Sequence, residues 1–126
     1  MQFKHMVNEG DGRVLTLMPK DGKLQWGAEP KLAAAAEGTP GQKWQLEAGH
    51  LCCEDGGHML DIDGANVKQG AKLVVWESRD RPNQTWEYTK GFIVSALNGL
   101  CLHGNEDGTV VMWPLQDEPC QKWRFA

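Results

Sequence analysis

Short apolar runs broken by polar turns recur along this chain. His50-Leu51-Cys52-Cys53 and His58-Met59-Leu60-Asp61 both alternate, with Gly56-Gly57 between them. A period of two sends successive side chains to opposite faces, which predicts half-buried strands. Asp11-Gly12, Gly56-Gly57 and Asn98-Gly99 tolerate positive φ and predict two-residue type I′ hairpin turns. Lys72-Leu73-Val74-Val75-Trp76 predicts a further strand, and no clean helical period occurs anywhere. Lys31 to Glu37, with Ala33 to Ala36 inside it, allows a single helical turn at most.

The pattern is repeated. Gln42-Lys43-Trp44, Gln84-Thr85-Trp86 and Gln121-Lys122-Trp123 are each followed, two residues on, by Leu46, Tyr88 and Phe125. Counting from Trp44 and Trp86 sets Leu51 on Ile93, Gly56-Gly57 on Asn98-Gly99, Leu60 on Leu102 and Asp61 on His103. Met6, Asp11-Gly12 and Leu15-Thr16 fall into the same register. Each unit therefore opens with a hairpin, adds one strand and closes on the Gln-x-Trp strand. One domain over residues 1–126 is expected, with units of about 1–46, 47–88 and 89–126. Three four-stranded units are too few for a propeller and too regular for a sandwich. A unit this small cannot bury its apolar face alone, so the economical fold is all-β, a closed threefold barrel.

Composition narrows the partners. The formal net charge is −4, the pI is near 5.5, and no basic run exceeds two residues. No nucleic-acid or anionic-membrane partner is expected on these grounds. No apolar run reaches spanning length, so no membrane insertion is expected either. Met1-Gln2-Phe3-Lys4-His5 lacks the apolar core of a secretory signal. The expected location is the cytoplasm or release without a signal peptide, unless the chain is a domain of a larger secreted protein. Cys52 and Cys53 are adjacent and would face opposite ways on a strand, no Cys-x-x-Cys occurs, and the histidines are scattered. Neither a metal nor another cofactor is expected, and the thiols read as reduced.

The three Gln-x-Trp copies, with Leu60-Asp61-Ile62 and Val74-Val75-Trp76 ahead of the middle one, resemble the ricin-B-type lectin family. The resemblance covers essentially the whole chain and implies a β-trefoil that binds glycans. It also implies the parts of a sugar site. An Asp on the second strand accepts from two adjacent hydroxyls, an aromatic ending the third strand stacks on the pyranose, an Asn before Gln-x-Trp bonds a hydroxyl, and the Gln braces the Asp. The chemistry is general, since a charged acceptor strengthens bonds to hydroxyls and an aromatic face covers the sugar's C–H patch. A family disulfide is not expected between Cys101 and Cys120, because Cys120 sits beside Gln121 and not just after Trp113.

On that pattern the middle unit has all four parts: Asp61, Trp76, Asn83 and Gln84. Asp63, Asn66 and Lys68 lie in a loop that could rim the same pocket, and Val74 stands where a polar residue is common. The third unit keeps Trp113 and Gln121 but has His103 for Asp and Cys120 for Asn, and its loop from Gly104 to Gly108 is shorter. A neutral imidazole offers one acceptor, so this is a degenerate site. The first unit has Thr16 and Gly41 at the Asp and Asn positions. Its third strand reads two ways, with Trp26 on it after an Asp21-Gly22 turn, or with alanines there by counting back from Gln42. The ligand implied is a glycan of galactose or N-acetylgalactosamine type, and oligomerisation stays open. An enzyme is not expected: Asp61 and Asp63 are the only close carboxylates on a patterned element, and a shallow cleft desolvates neither. The alternative is a scaffold that binds a protein partner without sugar.

Overall fold

The computed structural model describes residues 2–126; Met1, the first residue of the stretch read for a leader, lies outside them. The first unit contains β1 (Lys4–Asn8), β2 (Val14–Leu17), β3 (Pro30–Ala33) and β4 (Lys43–Glu47). The second contains β5 (His50–Cys53), β6 (Met59–Ile62), β7 (Leu73–Trp76) and β8 (Trp86–Thr89). The third contains β9 (Phe92–Ser95), β10 (Cys101–Gly104), β11 (Val110–Trp113) and β12 (Trp123–Phe125). Short 3-10 turns at Asp63–Ala65, Pro82–Gln84 and Pro119–Gln121 are the helical elements of the described residues.

The first and last strands of each unit form the barrel wall. β4 pairs with β5, β8 with β9 and β12 with β1, while β1 also pairs with β4. Backbone bonds from Trp86 to Gly49 (2.7 Å) and from Trp123 to Gly91 (2.8 Å) tie in the remaining neighbours. Hairpins β2–β3, β6–β7 and β10–β11 cap this wall and bond to one another. In that cap Val75 N–H donates to Ala28 (3.0 Å), Met112 N–H to Ala71 (3.0 Å) and Leu32 N–H to Gly108 (2.8 Å). The result is a β-trefoil with pseudo-threefold symmetry.

The core follows the same symmetry. Met6, Leu51 and Ile93 are buried at matched positions, as are Leu15, Leu60 and Leu102. Trp44, Trp86 and Trp123 are buried, and each indole N–H donates to the carbonyl of Leu15, Leu60 or Leu102, at 3.0, 3.2 and 3.1 Å. A buried indole needs such a partner, and a main-chain carbonyl supplies it without lengthening any side chain.

One local expectation is corrected. The hairpin turns are four-residue loops: Asn8 N–H bonds Arg13, Cys53 bonds His58 and Ser95 bonds Leu100, at 2.8, 2.9 and 2.9 Å. Gly12, Gly57 and Gly99 take the left-handed conformation at the end of each loop, so glycine is required there but the two-residue connection is absent. Lys31 to Glu37 forms no helical turn, within the limit of one that the sequence allows. Pro30–Ala33 is β3, paired with β2 from Leu17↔Pro30 to Val14↔Ala33. Sheet pairing overrides the helical preference of alanine, and proline is tolerated at the first residue of a strand.

All four cysteines are free. Burial pushes the Cys53 thiol up to about 12 and the Cys101 thiol up to about 11. Burial also raises Cys52 and Cys120, which are half-buried. Thiolate is the reactive form, so burial suppresses the reactivity of Cys53 and Cys101 most strongly in the folded protein.

Two outcomes are expected. Truncating Trp44, Trp86 or Trp123 to Ala should lower unfolding free energy by about 3–5 kcal/mol. The Phe variants should still lose about 1–3 kcal/mol, because a leucine carbonyl is left unpaired. Equilibrium denaturation measures both, and losses below 1 kcal/mol on truncation would contradict the packing. Iodoacetamide without reductant should label all four thiols after denaturation, while Cys53 and Cys101 stay unlabelled in the native protein.

Candidate sugar-binding site

Asp61 lies on β6 and pairs with Val74 on β7. It is only 7% exposed, and both its carboxylate oxygens are engaged from one side. Asn83 Nδ2 donates to Oδ1 at 2.6 Å and Gln84 Nε2 donates to Oδ2 at 2.9 Å. Each carboxylate oxygen has a second lone pair, so the group retains capacity for two more donors. The braces come from the turn at Pro82–Gln84, where Pro82 sets the first φ and Gln84 N–H closes on Arg81 at 2.9 Å. That turn points consecutive side chains, Asn83 and Gln84, at one acceptor.

Gln84 is itself held. Its other amide hydrogen goes to the Glu77 carbonyl at 2.8 Å, and its oxygen accepts from Arg79 N–H at 2.8 Å. These bonds fix the chain just after Trp76, which ends β7 half-buried. The cleft between these groups is open, about 420 Å³, and its wall includes Asp61, Val74, Trp76 and Asn83. It can hold a small polyol with one apolar face: charged acceptor and amide on one wall, indole on another.

Of the expected rim, Asp63 lines this cleft, whereas Asn66 and Lys68 stand outside its wall. The Asn66 side chain instead accepts from Lys68 N–H at 3.0 Å and closes its own loop. Arg79 and Arg81 line the cleft and escaped the sequence reading. Arg79 is turned aside by Glu77, to which its Nε donates at 3.0 Å. The proline of Pro-x-Gln also went unread, although Pro40, Pro82 and Pro119 stand at the same place in all three units. A larger hollow of about 650 Å³ opens in the hairpin cap beside Gly27, Gly70 and Thr109, but no aromatic or side-chain amide lines it.

The sequence model of the ricin-type beta-trefoil lectin domain matches residues 2–123. The chain belongs to the ricin-type β-trefoil lectin family. No curated protein matches it by sequence. Among solved structures it is similar to the designed threefold-symmetric protein ThreeFoil, with a TM-score of 0.84, 20% identity, and 98% of this chain covering 97% of that one. It is also similar to the earthworm R-type lectin C-half in complex with GalNAc, with a TM-score of 0.78, 15% identity, and 99% and 98% of the two chains covered. The hemolytic lectin CEL-III gives a TM-score of 0.84 at 16% identity; all of this chain aligns, but it spans only 30% of CEL-III. It likewise spans 30% of the exo-β-1,3-galactanase from Clostridium thermocellum, at 21% identity and a TM-score of 0.84. At these identities the likeness establishes the trefoil, and carbohydrate binding in general follows from membership of the lectin family. Some neighbours carry the fold within enzymes, whereas the family matched here is a lectin domain. Among the described residues no helix is long and apolar enough to cross a membrane.

The other two copies of this ricin-type unit keep the brace and change what it holds. In the third, Gln121 Nε2 bonds His103 Nδ1 at 3.1 Å and the Pro114 carbonyl at 2.9 Å, while its oxygen accepts from Gln116 N–H at 2.7 Å. The amide orientation is thus set, so Nδ1 accepts and the proton belongs on Nε2. Burial lowers the His103 pKa, against the opposing pull of the Glu118 charge, which favours this neutral form. His103 lies 6.1 Å from the Trp113 ring, centroid to centroid, and the Cys120 sulfur stands 3.9 Å from Nε2. The carboxylate's paired acceptors are gone.

In the first unit Gln42 donates to Thr16 Oγ1 at 3.2 Å and to the Ala34 carbonyl at 2.9 Å. The residue before that carbonyl is Ala33, where the other units have Trp76 and Trp113, so the alanine reading of the third strand is the one the fold adopts. Gly41 has φ +86°, and a Cβ there would come within 2.7 Å of the Leu17 carbonyl. An asparagine cannot be accommodated at that position without moving backbone.

Exchanging Gln84 for Ala should therefore cost more than losing one bond. It should lower stability by about 1–3 kcal/mol through unsatisfied buried partners, measured by urea denaturation. The same change at Gln42, which braces a neutral hydroxyl, should sit at the low end of that range.

Proposed function

We propose that the middle unit binds a galactose-type sugar, galactose or N-acetylgalactosamine, as the terminal residue of a glycan. One observation supports this above the others: Asp61 is braced on one side by two amides and faces an open cleft beside a half-buried indole. Two adjacent hydroxyls donate to the carboxylate, Asn83 meets a hydroxyl through its amide oxygen, and the sugar's C–H face lies on Trp76. Two structural neighbours are named for related chemistry, the earthworm lectin half with GalNAc and the exo-β-1,3-galactanase. Val74 offers the ring no hydrogen bond, so selectivity rests on the carboxylate, the amide and the indole.

The neutral His103 gives the third unit a weaker claim, and the first unit has Thr16 and Ala33 where the acid and the aromatic belong. A single strong site makes agglutination depend on a dimer or a fused domain.

Calorimetry on sugars selected by a glycan array tests the assignment. Asp61→Ala should abolish measurable binding, since bonds to a charged acceptor contribute about 1.5–3 kcal/mol each. Trp76→Ala should weaken binding by roughly tenfold through the lost stacking face. His103→Ala should leave the affinity within about twofold, an effect below 0.5 kcal/mol. Undiminished binding by Asp61→Ala would place the site elsewhere. Retention on immobilised glycoprotein that free sugar cannot displace would favour the protein-binding scaffold.

A further inference from the structure

Trp26 stands apart from the other tryptophans. It lies between β2 and β3 of the first unit, and its side chain is 47% exposed. Its ring nevertheless packs on Trp76 of the middle unit, with centroids 5.7 Å apart and planes tilted by 37°. The neighbouring backbone explains the meeting. Gly27 N–H donates to the Val75 carbonyl at 2.8 Å, and Val75 N–H donates back to Ala28 at 3.0 Å. That two-bond clamp holds Trp26 one residue away from a strand position next to Trp76. Gly27 has φ +87°, a conformation that calls for glycine in the clamp.

The same clamp recurs one unit on. Gly70 N–H bonds Met112 at 2.7 Å and Met112 N–H bonds Ala71 at 3.0 Å, beside Trp113. The residue corresponding to Trp26 is there Gln69. An exposed indole is therefore not what the clamp requires. The loop that presents Trp26 is ordered from within: Lys20 and Lys23 exchange backbone bonds at 2.7 and 3.1 Å, and Gln25 Nε2 donates to the Lys20 carbonyl at 2.6 Å. Trp26 is thus a held surface and not a loose side chain.

Trp26 does not line the cleft that contains Asp61. Its ring centre lies 5.7 Å from that of Trp76, and its 47% exposure leaves indole surface open next to the cleft's own aromatic. We propose that Trp26 forms a second subsite, so that the site reads two linked sugars: a terminal residue on Asp61 and Trp76, and its neighbour stacked on Trp26. This rests on the assignment of the terminal sugar to the middle unit. The second contact is a stacking surface with no directional acceptor of its own. It recognises the C–H face of a pyranose and tolerates several linkages.

The test compares one sugar with two, in the full chain. Methyl β-galactoside, lactose and melibiose are titrated into the wild type, Trp26→Gln and Asp61→Ala, and unfolding midpoints confirm folding. Glutamine reproduces the residue that the next unit places on the same clamp. The wild type should bind at least one disaccharide roughly fivefold more tightly than the monosaccharide, in keeping with one added stacking contact. Trp26→Gln should reduce that ratio to about one while leaving monosaccharide affinity within about twofold. Equal weakening of both ligands would mean that Trp26 merely props Trp76, and would overturn the subsite. An unchanged ratio, or no disaccharide preference in the wild type, would overturn it as well. Monosaccharide binding that survives in Asp61→Ala refutes the terminal assignment itself, its absence from the wild type refutes a terminal galactose, and either overturns the subsite as proposed.

Discussion

Burying three indoles in a small β-barrel leaves three N–H donors that water cannot reach, and the carbonyls that accept them set much of this molecule. Each acceptor is the leucine immediately before a site position: Leu15 before Thr16, Leu60 before Asp61, Leu102 before His103. The bond that satisfies a core tryptophan therefore also fixes the depth of the next side chain. The glutamine two residues before each tryptophan then reaches that side chain and, with its other hydrogen, the carbonyl after the third strand. Scaffold and site share one set of bonds, and exchanging Asp for Thr or His leaves the scaffold bonds in place.

Because those bonds are threefold, the fold was legible in the chain. Gln-x-Trp, the matched leucines and the loop glycines all occupy positions that every unit needs, so they recur in register. Features that only one unit needs were not legible. Alanines at 33–36 look helical in isolation, and only pairing of Ala33 with Val14 makes the start of that run a strand. Asp-Gly and Asn-Gly pairs announce a tight turn, yet two further residues enter each loop before its closing bond.

The candidate site divides in the same way. Asp61, Trp76, Asn83 and Gln84 stand out because a family pattern resembles them, and the geometry adds why they work together: a proline turn aims two amides at one carboxylate. Arg79 and Arg81 gave no signal, since an arginine after a strand is usually just solvated. Asn66 illustrates the reverse. Its type and place suit a rim, but a local backbone N–H claims its oxygen. Trp26 was ambiguous for a deeper reason: its partner is fifty residues away, and the link is a backbone clamp between units that no local pattern encodes.

That clamp bears on how such a protein could arise by duplication. In the first and second units the loop ahead of the third strand serves the aromatic of the following unit, not its own. A symmetric ancestor made of three identical middle units would set Gln69 beside every Trp76. No triplication of any one unit in this chain brings a Trp26 and a Trp76 together, because the first unit has Ala33 where the aromatic belongs. The paired indoles thus join two unlike units, and neither unit alone carries both partners of this surface.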